Sequence, residues 1–163
     1  MTRLGRKNTL DAAEPPAEFV CACATSRHVA RTLTQLYDRF LRGTGVEAPQ
    51  FALLMALDRR GESTQIAIGR RYALDKTTVS RNLKLLEANG WIESRPGTDR
   101  RERLFTLTKA GRKRLAIARP EWQKAQEQLR GAMTRDEWQT MFAVFQRLTQ
   151  AADTARRTMT PRT

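Results

Sequence analysis

Between Asp75 and Thr108 the chain concentrates side chains that bond to phosphates and to the edges of bases. Lys76, Thr77, Thr78, Ser80, Arg81 and Lys84 fall within nine positions, and no acidic residue interrupts the run from Lys76 to Leu86. Threonine and serine hydroxyls are short enough to reach base edges without filling a groove, and an arginine can donate two bonds to guanine. A second cluster follows. Arg95, Arg100, Arg101 and Arg103 also lie within nine positions, around a turn-rich tip that carries Asp99 and Glu102. Guanidinium groups on a short loop suit a narrow minor groove, where the negative potential is strongest. The two carboxylates are expected to pair with neighbouring arginines and aim them. Two blander readings use the same residues: a solvated helix face with ordinary caps, and a disordered charged turn.

The first cluster needs a helix to hold it. Val79, Leu83 and Leu86 recur at spacings of four and three, the period of one buried helix face, so the polar residues must lie on the opposite side. Asp75 stands where an N-cap belongs, and Asn89-Gly90 closes the helix with residues that tolerate the left-handed conformation. Just before it, Thr64–Tyr72 reads as a short helix, and the pair forms a helix-turn-helix candidate. Just after it the period changes. Trp91–Arg95 and Arg103–Leu107 read as strands bracketing Pro96–Glu102, a basic hairpin. A helix-turn-helix followed at once by such a hairpin is a winged helix.

The flanks are helical. Val29, Leu33, Leu36, Tyr37 and Phe40 trace one apolar face that stops at Gly43-Thr44-Gly45, and Pro49 fits the first turn of a second helix carrying Phe51, Leu54 and Met55. Ala110–Arg130 reads as a helix that Pro120 should kink or open into a turn. Thr134 or Asp136 is placed to cap a last helix, on which Trp138, Met141, Phe142, Phe145 and Leu148 form a broad apolar stripe. That stripe is more apolar than one small winged-helix core needs, which points to a two-fold dimer; folding back on its own subunit is the simpler use. The fold class expected is therefore mainly α with a small β-hairpin wing: a winged helix-turn-helix that dimerises through its N- and C-terminal helices. The divisions are a disordered arm (1–16), an N-terminal dimerisation helix (17–48), the DNA-binding lobe (49–108), C-terminal dimerisation helices (109–157) and a frayed tail (158–163).

Bulk properties agree without deciding. Thirty Lys and Arg against 17 Asp and Glu give a net charge of +13, which attracts any polyanion. No apolar run approaches the ~20 residues of a membrane helix, and nothing resembles an export signal, so a cytoplasmic protein without membrane contact is expected. One histidine and no phosphate-binding glycine loop leave no catalytic constellation, so neither an enzyme nor a cofactor is expected.

From Thr64 through Gly111 the sequence resembles the MarR family of winged helix-turn-helix regulators. The resemblance rests on Asp75-Lys76-Thr77-Thr78-Val79-Ser80-Arg81, on Leu86-Glu87-Ala88-Asn89-Gly90-Trp91-Ile92, on Asp99-Arg100-Arg101 and on Leu107-Thr108-Lys109-Ala110-Gly111 in this order. It implies a homodimeric transcription regulator, typically a repressor, that places each recognition helix in a major groove of a pseudo-palindromic double-stranded DNA operator and each wing in a minor groove. It also implies release by a small ligand or by cysteine oxidation. A non-specific architectural DNA binder and a protein-interaction module are the readings from other classes.

Two inputs are open at this point. Cys23, with Cys21 beside it, resembles the reactive cysteine of the family's organic-hydroperoxide-sensing branch and is a candidate redox switch, with Arg27 or His28 near enough in sequence to favour a thiolate. That branch places a tyrosine about one turn later, where this chain has Arg27 and His28. Packing of both cysteines as small residues at a dimer interface is the alternative. Cys21, Cys23 and His28 do not complete a tetrahedral metal site, and none is expected. A small aromatic or phenolic acid effector, as in many members, would lie between the dimer helices and the winged lobe, with Tyr37, His28 and Phe51 as conceivable lining; core packing is the simpler explanation of all three.

Overall fold

A computed structural model describes residues 21–72, 74–97, 99 and 102–159. The expected arm at residues 1–16, and most of the expected tail, lie outside them. The order is α1 (Ala22–Leu41), a 3-10 turn (Arg42–Thr44), α2 (Ala48–Arg60), β1 (Glu62–Thr64), α3 (Gln65–Tyr72), α4 (Lys76–Ala88), β2 (Ile92–Pro96), β3 (Arg103–Leu107), α5 (Lys109–Gly131) and α6 (Arg135–Thr158). This is a winged helix-turn-helix, α3 and α4, set between long flanking helices.

The wing is more than the hairpin read from sequence. β1 joins it as a third antiparallel strand, in the order β1-β3-β2, with Ser63 opposite Phe105 and Ser94 opposite Phe105 from the other side. Three residues with no alternating apolar pattern gave no strand signal; β1 exists because β3, some 40 residues on, supplies its partners. Side chains at Ser63, Ile92, Phe105 and Leu107 are buried and turn toward the helices. Ile92, Phe105 and Leu107 meet Leu54 and Leu57 of α2, Ile68 of α3, Val79, Leu83 and Leu86 of α4, and Leu115 and Ala118 of α5 in one core.

One departure and one agreement concern the C-terminal helices. α5 runs unbroken through Pro120, so no turn opens there. Proline removes one helical hydrogen bond, but Leu115, Ala118 and Ala125 are buried on either side of it and Trp122 stacks on Phe51 with ring centroids 5.5 Å apart. That packing outweighs the lost bond. On α6, Thr134 is the cap, within a capping box completed by Glu137. No residue of α6 is buried. Among the described residues the stripe read from sequence stays largely uncovered: Phe142 is 53% exposed, Phe145 40% and Leu148 41%.

One close approach fixes α5 to the root of the wing. A Cβ at Gly111 would lie 1.9 Å from the Trp91 carbonyl oxygen. Thr108, the cap of α5, donates its hydroxyl to Gly90 O at 2.7 Å and its amide to Trp91 O at 3.1 Å. Arg114 then lies over the Trp91 ring, 5.2 Å from its centroid, and donates to Thr44 O at 2.7 Å, tying the α1–α2 turn to the same point. Gly111→Ala should therefore destabilise the protein by about 1–3 kcal/mol through overpacking against fixed backbone, measured by urea unfolding. An unchanged midpoint would mean that this junction is soft.

Candidate nucleic-acid interface

The frame of the site is α4. Asp75 caps it: one carboxylate oxygen accepts from the Thr78 amide at 2.9 Å and the other from the Thr78 hydroxyl at 2.6 Å. Those two bonds, the hydroxyl's first, hold the Asp75 carboxyl below its ordinary value. Burial of Val79, Leu83 and Leu86 turns the other side outward, and there Lys76, Thr77, Ser80, Arg81 and Lys84 line one shallow groove. Five of the six residues expected on this face are thus brought together. Thr78 is the exception in role, because its hydroxyl proton is already given to Asp75. Gln65 of α3 donates to Lys76 O at 3.1 Å and steadies the helix start, a contact the sequence did not announce.

On the wing, the arginines at the strand ends are held by glutamates from outside the loop. Arg95 makes three bonds of 2.7–3.0 Å to Glu62 of β1, reaching across β3 on the outer face of the sheet. Arg103 faces inward and pairs with Glu87 of α4 at 3.3 Å, and it also donates to the Ser94 hydroxyl. Asp99 is exposed in the loop, where its carbonyl accepts from the Glu102 amide at 2.9 Å. Arg100 and Arg101 lie outside the described residues. Glu62 and Glu87 were missed from sequence, where nothing separates them from solvated charges; their partners Arg95 and Arg103 lie 33 and 16 residues on.

A separate cleft of about 440 Å³ opens between α1, α2, α3 and α5, floored by Leu33, Tyr37, Phe51, Met55 and Trp122 and rimmed by Arg59, Arg60 and Arg71. Among the described residues no carboxylate lines it. Burial pushes the Tyr37 phenol above its ordinary value, so it stays protonated and able to donate. Tyr37 and Phe51 line this cleft as expected, and His28 does not. Cys21 and Cys23 are both exposed free thiols at the start of α1. No helix among the described residues is long and apolar enough to cross a membrane.

Because the Asp75 carboxyl is lowered in the folded state, its contribution is present above the ordinary value of 3.8 and is lost as pH falls through the lowered one. Asp75→Ala should lower Tm by roughly 2–4 °C at neutral pH. The gap from wild type should begin to narrow near pH 3.8 and close as pH falls through the lowered value; a gap that persisted in stronger acid would show that the cap acts by something other than its charge.

Comparison with known proteins places this arrangement. Residues 44–102 match the model of the MarR family. The uncharacterized HTH-type transcriptional regulator YwoH of Bacillus subtilis is 33% identical over 114 residues, 70% of this chain and 82% of the relative. Among solved structures, the M. tuberculosis transcriptional regulator MosR in complex with DNA is 33% identical and superposes with a TM-score of 0.76 over 83% of this chain and 98% of that one. A mutant of E. coli MarR complexed with operator DNA shares the fold at 22% identity and a TM-score of 0.72, over 80% and 95% of the two chains. With a third of positions identical along most of two relatives, and the family's own pattern running from the α1–α2 turn to the wing tip, the chain belongs to the MarR family.

Proposed function

We propose that the protein is a sequence-specific, DNA-binding transcription regulator that works as a homodimer, with repression as its default output. The observation that carries this is the outward face of α4, where hydroxyls and long cations share one groove that, among the described residues, no carboxylate lines. In this reading Thr77, Ser80 and Arg81 meet base edges in the major groove, Thr78 offers its hydroxyl oxygen as an acceptor, and Lys76 and Lys84 meet phosphates. The tip arginines Arg100 and Arg101, with Asp99 beside them, approach the minor groove. A cytoplasmic location belongs to the same proposal, supported by the DNA partner.

A mobility-shift titration on the DNA upstream of the protein's own gene, against random competitor, tests the reading. The wild type should bind preferentially, and Arg81→Ala should lose discrimination at particular base pairs by about 1–3 kcal/mol. A steep salt dependence without preference between sequences would instead favour an architectural DNA binder.

The dimer reading rests on α6. Trp138 and Phe142 pack edge to face at 5.2 Å, and Phe142, Phe145 and Leu148 stay 40–53% exposed on one chain. A second copy is the partner that would bury them, with α1 and α5 beside α6. Phe142→Glu combined with Phe145→Glu should shift the protein from dimer to monomer in sedimentation while its helical spectrum persists. A monomeric wild type would contradict the assignment.

For the input, the cleft under Arg59, Arg60 and Arg71 is favoured: aromatic walls and an uncompensated cationic rim suit a small aromatic acid. Oxidation at the exposed Cys23 and Cys21 is the second input, supported by their accessibility.

A further inference from the structure

Arg103 occupies an unusual place for a DNA-contacting arginine. It forms the last rung of the β2–β3 ladder before the loop, opposite Pro96, and alternation along β3 puts it on the same face as the buried Phe105 and Leu107. That face looks toward α4, not away from the protein. There the guanidinium meets Glu87, from the last turn of α4, at 3.3 Å and lies 5.9 Å from the centroid of the Phe105 ring. Ser94 of β2 closes the triangle: its hydroxyl donates to Glu87 Oε1 at 2.5 Å and accepts from Arg103. Three residues on three elements, α4, β2 and β3, are thus bonded pairwise at the point where the wing leaves the body.

We infer that Glu87 and Arg103, joined through Ser94, form a clasp that sets the angle of the wing against the recognition helix, so that Arg103 serves DNA binding as a positioning residue. This rests on the regulator reading above. The outer face carries the counterpart, Arg95 on Glu62, and the two ion pairs brace the sheet from opposite sides. An antiparallel hairpin twists and hinges readily on its own. A tip held at one angle keeps its arginines at a fixed distance from the bases read by Thr77, Ser80 and Arg81.

The sign of one substitution separates this role from direct phosphate contact. Glu87 is a negative charge close to a surface that meets a polyanion, so removing it should tighten binding if charge alone matters. It should also tighten binding if it frees Arg103 to reach a phosphate. The clasp gives the opposite sign. Exposed ion pairs contribute little to stability and alanine suits a helix, so Glu87→Ala and Arg103→Ala should keep wild-type helicity and a nearly unchanged Tm.

The test is a double-mutant cycle on a duplex that the wild type selects, with amide exchange of β2 and β3 measured in the same free proteins. Each single variant should bind about tenfold more weakly, and the double variant no more weakly than the worse single. Exchange across 94–103 should quicken in both singles. Glu87→Ala binding as tightly as wild type or more so, additive losses, or unchanged exchange would each overturn the clasp. A wild type without sequence preference, with exchange quickened in both singles, would leave the clasp standing and overturn the regulator reading alone.

Discussion

Burial of Val79, Leu83 and Leu86 takes one side of α4 out of water and leaves no choice about the other side. Each of these side chains is at most 2% exposed, and burying such a group stabilises the fold by about 1.5–3 kcal/mol. Rotating α4 by even one residue's worth, about 100°, would pull the stripe from the core and drive Ser80 or Lys84 into it. The groove of hydroxyls and cations therefore owes its orientation to the residues it does not contain. Asp75 sets where the helix begins and Gly90, at a φ of 69°, lets the chain reverse directly into the wing.

The wing needs more than this, because a short sheet touches the core through few side chains. Its root is fixed where Gly111 lets α5 press against the Trp91 carbonyl, and where Arg114 joins Trp91 to the α1–α2 turn. Its faces are braced by Glu62 and Glu87. The same α5 lines the cationic cleft through Trp122. A ligand in that cleft would press on the helix that holds the wing root, which is a physical route by which occupancy could bias the reading head.

The elements that carry local periodicity were legible in the sequence: the stripe and caps of α4, the two long wing strands, the glycine stop after α1. What was not legible depends on partners distant in the chain. β1 has no pattern of its own and is a strand only because Phe105 and its neighbours lie beside it. Glu62 and Glu87 carry no mark that distinguishes a brace from a solvated charge until the fold brings Arg95 and Arg103 to them. Pro120 left a kink or a turn open in the sequence, and the helix continues through it because the packing on either side outweighs the local penalty. The α6 stripe was legible as apolar, and its exposure among the described residues is what the fold added.

An exposed apolar helix and a single outward reading face make sense together only if two copies present two faces in fixed register. Selection of bound duplexes from a random pool, followed by sequencing, tests this most directly. One enriched motif is expected, made of two inverted half-sites with centres about one helical turn, 10–10.5 base pairs, apart. A pool that retains DNA without any enriched motif, or a single half-site with no inverted mate, would contradict it.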